Sequence, residues 1–342
     1  MPRITRKICR ELAYFTNSFH SKVDFVSLLV SFDCNFKCRA CSIWQKEKSK
    51  VLAAEDWLKI AKKIRKVARQ EALVEINGGE PLLHQPLVLA IIRELKKYFK
   101  QVALNTNGSL IDSKIIAELK AAGLDILKIS LYSNQPSTHD FLRGFSGSFE
   151  KARNALQIIA VSGIKLEVGV LITEKNIEDL PKLIRRLAET ENISIILQPL
   201  DEIIESADSK NRNKNYLPKA LWPAPDKVKK FFQWLKQNRR IIKNSSAAIR
   251  AMENYYLSSE KVLRYRCFAG QRSLVIYPDG QISFCFKGKK IGNILQNKIL
   301  KVMQSEAASR ERKAIKKCRK YCRIIGCNFS RGIQEFMADK MY

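Results

Sequence analysis

The sequence has little histidine and little acid. Only His20, His84 and His139 occur in 342 residues, so any multi-ligand metal site must be cysteine-rich. Acidic residues number 33 against 62 Lys and Arg, a formal net charge of +29. An acidic calcium-binding or solvating chain is thereby excluded. Long apolar runs are missing too. The stretch 25–30 (Phe-Val-Ser-Leu-Leu-Val) is far too short to span a bilayer, and Arg10, Glu11 and Asn17 interrupt the segment before it. No export signal is legible, so the expected location is the cytoplasm.

Cysteine, by contrast, is plentiful. Nine cysteines without a secretory signal argue for metal or redox chemistry rather than a disulfide framework. Soft thiolates select iron–sulfur clusters or zinc. The remaining composition, 46% hydrophobic and 28% charged, is that of a globular chain with room for one large catalytic domain and a small appendage. The positive excess fits a polyanionic partner such as nucleic acid, an anionic membrane surface or a phosphorylated substrate. It equally fits a lysine bias spread over solvated helix faces.

A strand-then-helix rhythm starts at Phe25. Apolar strands are expected over 25–32, 72–77, 102–105, 126–132, 165–172 and 193–199. Helical periods lie between them at 55–70, 86–99, 113–122, 148–162 and 177–190. Asp112 reads as an N-cap and Gly123 as a C-terminal stop for the third helix. Strands apolar on both faces, alternating with helices, predict a parallel sheet with helices outside it, either doubly wound or a partial barrel. In either case ligands belong at the carboxyl ends of the strands.

The rhythm lapses after Asp201. Residues 201–225 read as a linker, 226–242 and 246–263 as helices, and 273–277 and 281–286 as a hairpin around Pro278-Asp279-Gly280. The expected division is a lead-in (1–24), an α/β core (25–200), a linker with helices (201–263) and a C-terminal cysteine-bearing unit (264–342).

Cys34, Cys38 and Cys41 directly follow the first strand. Three thiolates at x3 and x2 spacing can wrap three corners of a cubane and leave a fourth iron without a protein ligand. An open coordination position signals chemistry. Further motifs stand at successive strand ends: Asn77-Gly78-Gly79-Glu80-Pro81, Asn105-Thr106-Asn107-Gly108 and Ile129-Ser130-Leu131-Tyr132. After them come His139-Asp140, Arg143-Gly144, Gly147-Ser148-Phe149, Thr173 to Asn176, and Gln198-Pro199.

In this order the set resembles the radical S-adenosylmethionine (SAM) superfamily, including its peptide-modifying branch, over roughly residues 25–330. Ala40 and Tyr132 depart from the commoner aromatic residue and aspartate. The resemblance implies a partial (βα)6 barrel with a [4Fe-4S] cluster on Cys34, Cys38 and Cys41. It also implies reductive cleavage of SAM to a 5′-deoxyadenosyl radical that abstracts a substrate hydrogen.

Gly78 and Gly79 are then expected to let the backbone approach a ligand, and Glu80 to pair with the SAM ammonium. Asn107, Ser130 and Gln198 are expected to hydrogen-bond its ribose or adenine, and Arg143 to hold its carboxylate bidentately. The bland alternatives are a zinc knuckle, an ordinary turn at 77–81, a plain βα loop at 105–108 and a surface salt bridge at Arg143. Each is credible singly, but their joint order is not.

Cys267, Cys285, Cys318, Cys322 and Cys327 lie beyond the barrel units. Cys267, then Gly280-x4-Cys285, then Gly292-Asn293-Ile294, is similar to the SPASM and twitch extensions that hold auxiliary iron–sulfur clusters. Five cysteines suffice for one [4Fe-4S] cluster, and two of the last three would complete the pair Cys267 and Cys285. A zinc ribbon is the structural alternative. Cys9 reads as a plain thiol, and His84 and His139 as loop hydrogen-bonders. Glu167 could point inward as a ligand contact or a buried salt bridge.

Two basic stretches, 227–243 with Phe231, Phe232 and Trp234, and 310–323, read as amphipathic helices or as nucleic-acid contacts. The leading expectation is an enzyme that modifies a peptide, protein or peptide-like metabolite, served by a one-electron reductant such as flavodoxin or ferredoxin. RNA modification and a non-enzymatic iron–sulfur or zinc protein are the alternatives.

Overall fold

The computed structural model describes residues 3–17, 22–47, 51–200 and 218–322. Helix α1 (Arg3–Thr16) precedes β1 (Val23–Leu29). The alternating part follows as α2 (Ala54–Ile64), β2 (Ala68–Asn77), α3 (Gln85–Lys96), β3 (Gln101–Thr106), α4 (Ser113–Ala121) and β4 (Ile126–Ser130). It continues through α5 (Pro136–Arg143), α6 (Ser148–Ala160), β5 (Lys165–Ile172), α7 (Leu180–Ala188) and β6 (Ile193–Pro199). Beyond it lie α8 (Pro218–Leu221), α9 (Pro225–Gln237), α10 (Ser246–Leu257) and α11 (Ala269–Arg272). The chain then forms β7 (Ser273–Ile276), β8 (Gln281–Ser283), β9 (Gly292–Asn293), α12 (Ile299–Gln304) and α13 (Glu306–Lys317). No helix among the described residues is long and apolar enough to cross a membrane.

The strands form one sheet in the order β6-β5-β4-β3-β2-β1-β7-β8-β9. All pairings from β6 to β7 are parallel, and β8 and β9 add antiparallel. Because β6 and β9 end the sheet, it is open: a partial barrel. The expected hairpin is more than an appendage. Its first strand lies beside β1, with Ser27 opposite Val275, so the C-terminal cysteines are tied to the same sheet as the first trio.

Alternation decides the two faces. Val74, Ile76, Val102, Leu104, Leu127, Ile129, Leu166 and Val168 are fully or nearly fully buried in the main core with Trp57, Ile60 and Ile92 of the helices. The intervening positions carry Glu75, Asn77, Asn105, Lys128, Ser130 and Glu167. The expectation of strands apolar on both faces is therefore corrected. The helix-facing side is apolar, whereas the concave side carries these polar residues on β2 to β5 and a small apolar cluster at Leu29 and Val275.

Asp112 caps α4 as expected, its carboxylate accepting from the Ile115 amide at 2.7 Å, and Gly123 follows it at φ +91°. The helix expected over 55–70 stops at Ile64, because pairing of Val23 with Ala68 draws the next residues into β2. Helix α5 was hidden by its shortness, although Pro136 at its first turn and the left-handed Gly144 at its end are ordinary boundary signals. Most of the expected linker, residues 201–217, and Cys327 lie outside the described residues.

Candidate functional site

Beyond β1 the chain turns through a loop bearing Cys34, Cys38 and Cys41, all half-buried. This loop is held by the neighbouring strand ends. The amide of Gly79 donates to the Ser31 carbonyl at 2.9 Å, and that of Glu80 to the Asp33 carbonyl at 2.7 Å. A Cβ at Gly78 would overlap the Ser31 carbonyl oxygen, and one at Gly79 the Asp33 carbonyl oxygen. The close approach these glycines permit is to the cysteine loop. On the loop's other side, Arg39 donates its amide to the Leu142 carbonyl at 2.9 Å. A Cβ at Gly144 would overlap the Lys37 carbonyl oxygen. Phe36, 1% exposed, stacks on Phe145 at 4.4 Å and pins the turn from beneath.

Glu80 is fully buried. Its carboxylate accepts from the Thr106 hydroxyl at 2.8 Å, the Asn107 amide at 2.7 Å and the Leu82 amide at 3.0 Å. Burial pushes its pKa above the ordinary carboxylate value, opposed by these donors and by Arg143. Asn107 donates its side-chain amide to the Asn35 oxygen at 2.7 Å and accepts from the Ser109 amide at 2.8 Å. Both residues lock the loops after β2 and β3 onto the cysteine loop.

Arg143, at the end of α5, is 7% exposed. It donates from Nη1 to the Tyr132 hydroxyl at 3.2 Å. Its guanidinium lies over the rings of Phe36 at 5.4 Å and Tyr132 at 5.2 Å. Burial opposes its charge, yet Cys38, Tyr132 and Cys41 together hold its pKa above the ordinary value. Its Nε is buried without a partner. A surface salt bridge is excluded for this residue by its burial. His139, one turn earlier, accepts from the Tyr132 amide at Nδ1 at 3.1 Å.

Burial pushes the Cys34 thiol up and the Cys41 thiol to about 11, with neighbouring thiolates adding to both shifts. Metal ligation deprotonates such thiols and offsets that cost. Among the described residues, no three Cys, His, Asp or Glu side chains converge tightly enough to hold a single metal ion. Three half-buried thiols beside one buried cation with an orphaned donor fit a cluster with an adjoining anionic ligand.

Ser130 sits half-buried at the end of β4, 3.4 Å from the Tyr132 hydroxyl. Gln198 is exposed on the edge strand β6, opposite Leu171, with its side-chain amide 3.8 Å from where a Cβ on Gly169 would stand. Across β1 to β5 runs a polar ladder that the sequence does not announce, apart from Glu167. Asn77 donates to Ser27 at 2.7 Å, and Asn105 to Asn77 and Glu75. Lys128 pairs with Glu75 and, at 3.2 Å, with Glu167, which in turn binds Lys243. The signal was the period-two spacing of Glu75 with Asn77 and of Lys128 with Ser130.

In the C-terminal unit Cys267 precedes α11, Cys285 follows β8, and Cys318 and Cys322 follow α13. All four are half-buried, and no disulfide joins the eight described cysteines. Arg312 braces them. It donates from Nε to the Gly270 carbonyl at 3.2 Å and from Nη2 to the Met303 carbonyl at 2.6 Å, with its guanidinium 4.8 Å from the Phe284 ring. Burial pushes the Cys285 thiol up, and Glu311 and Cys318 add to that effect. These chemically soft donors fit an iron–sulfur cluster. On α9, Phe231 and Phe232 are buried, so they are not available to stack on bases. Cys9 is half-buried on α1, and His84 Nε2 lies 3.2 Å from Asp33 Oδ2.

The radical SAM superfamily model matches residues 28–187, and the SPASM iron–sulfur cluster-binding domain model matches 267–328. The AdoMet-dependent heme synthase of Methanosarcina barkeri is 31% identical over 107 residues, covering 31% of this chain and 30% of that protein. The antilisterial bacteriocin subtilosin biosynthesis protein AlbA of Bacillus subtilis is 24% identical over 279 residues, covering 80% and 57%. The chain thus spans 30% and 57% of these two relatives' length. In fold it resembles Streptococcus suis SuiB bound to the precursor peptide SuiA, with TM-score 0.66, 16% identity, and coverage of 90% and 69%. With a cysteine loop, a parallel open sheet and a second cysteine-bearing unit, the chain carries a radical SAM superfamily domain over residues 28–187 and an iron–sulfur cluster-binding domain over 267–328.

Proposed function

We propose that the chain modifies a peptide, protein or peptide-like metabolite, with Cys34, Cys38 and Cys41 holding a [4Fe-4S] cluster and two of the last three cysteines joining Cys267 and Cys285 around an auxiliary one. When bound, the cluster and SAM supply a 5′-deoxyadenosyl radical able to take a hydrogen atom from substrate. The protein's own residues orient these groups and exclude water.

The observation that carries this reading is the cysteine loop clamped between Gly78-Gly79 and Gly144, with the orphaned Nε of Arg143 beside it. Arg143 is suited to the SAM carboxylate, while Ser130, Gln198, Asn107 and Glu80, at or beyond the carboxyl ends of their strands, are suited to the rest of the molecule. A peptide substrate draws support from the similarity to AlbA and SuiB. A cytoplasmic site, a flavodoxin- or ferredoxin-like reductant and the four-part division at 24/25, 200/201 and 263/264 belong to the same reading.

The test is anaerobic. Reconstituted protein reduced with dithionite should form 5′-deoxyadenosine from SAM, and Cys34→Ala, Cys38→Ala or Cys41→Ala should abolish it. No product from the intact protein sinks the proposal. A mass change in a short peptide encoded beside this gene would establish the substrate class.

A further inference from the structure

Between the two cysteine sites, on the concave side, lies a feature with no role so far. Leu29, Val275 and Tyr277 form a small apolar cluster with Phe32, separate from the main core. Phe32 lies two residues before Cys34, and Tyr277 directly follows β7. Each ring carries a lysine. Lys46 Nζ stands 4.6 Å from the Phe32 centroid, and Lys290 Nζ lies over the Tyr277 ring.

The two lysines come from opposite sites. Lys46 lies five residues after Cys41, whereas Lys290 lies five after Cys285. They also repel each other. Burial lowers both pKa values, that of Lys290 to about 7, and Asp279 only partly counters this for Lys290. Among the described residues no carboxylate forms an ion pair with either, and Asp279 accepts from the Gln281 amide at 3.0 Å. Two like charges drawn together over aromatic rings without a counter-ion cost free energy in the empty protein. An anion between them would offset it, as at many functional sites.

We propose that Lys46 and Lys290 form a subsite for an anionic group of the substrate, a carboxylate or a phosphate, between the two cysteine sites. This rests on the reading that the substrate enters between the clusters. Under that reading the favoured source is an acidic side chain of a peptide. The apolar pair Phe32 and Tyr277 would pack its aliphatic stem while the ammonium groups hold its charge.

The test measures binding, not turnover, on anaerobically reconstituted protein. A fluorescein-labelled heptapeptide with two glutamates is compared by anisotropy with its glutamine counterpart, and sodium tripolyphosphate serves as the phosphate probe. Lys46→Gln with Lys290→Gln should weaken binding of the acidic peptide by roughly a hundredfold or more, the scale of losing two charge-assisted hydrogen bonds. Lys229→Gln with Lys230→Gln on α9, both exposed, should leave binding unchanged.

If tripolyphosphate rather than the acidic peptide shows this dependence, the anion is a phosphate. If neither probe binds, if neither depends on the lysine pair, or if the α9 pair matters equally, the subsite is overturned. Thermal melting checks that both double variants fold. Such a failure leaves 5′-deoxyadenosine formation intact, so it is distinguishable from failure of the proposed function.

Discussion

Thr106 donates its hydroxyl to the buried carboxylate of Glu80 at 2.8 Å, joining the loop after β3 to the loop after β2. Since the Glu80 amide also binds the Asp33 carbonyl, the bond reaches through to the cysteine loop. Thr106→Val keeps the shape and removes the donor. It should cost about 1–3 kcal/mol, because a buried carboxylate loses one partner. Urea denaturation of the cluster-free protein measures this, and a change within error would mean the bond does not hold the loops.

Gly144 and Gly147 offer a matched comparison. Both have left-handed backbone, at φ +60° and +78°. A Cβ at Gly144 meets the cysteine loop, whereas one at Gly147 meets nothing within 4 Å. Each alanine substitution should cost about 1–2 kcal/mol from the backbone alone. Only Gly144→Ala should also lower iron incorporation at the first site, read as iron per chain after reconstitution. Equal iron content in the two variants would refute the steric account.

His139 makes stability sensitive to acid. Burial, reinforced by the charge of Arg143, lowers its pKa from 6.5 to about 3. The unfolded chain then takes up a proton that the folded chain refuses. Its stabilising contribution is complete above about pH 6.5 and is lost progressively as the pH falls toward 3. By pH 5 the loss should reach about 2 kcal/mol. Denaturation curves at pH 7 and pH 5 should therefore differ more for the natural protein than for His139→Leu.

Arg312 links α13 to α11 and to the end of α12. Arg312→Ala strands the carbonyls of Gly270 and Met303, so it should cost roughly 2–4 kcal/mol. The effect should fall on the C-terminal unit. Iron after reconstitution is expected to drop from about eight toward about four per chain, with 5′-deoxyadenosine formation retained. Retention of all the iron would show that the brace is dispensable.

Much of this was legible before the structure. Spacing along the chain is covalent, so Cys34, Cys38 and Cys41 share one loop whatever the fold does. Short apolar runs placed the strands over Lys165–Ile172 and Ile193–Pro199 to the residue, because run length and composition are local properties of the chain. The order of the strand-end motifs likewise named the superfamily.

Tertiary structure decided what those residues touch. Which oxygen fills the space beside Gly79, and which donors occupy Glu80, depend on loops from different strands meeting in space. The sequence lists the donors and acceptors but not their pairing. The same holds for β7 beside β1 and for the Glu75, Lys128 and Glu167 ladder, which exist only once the sheet has set its register. The three cysteines were thus a property of the chain. The clamp of glycines, Glu80 and Arg143 around them is a property of the fold, because packing and hydrogen-bond pairing are settled between segments rather than along them.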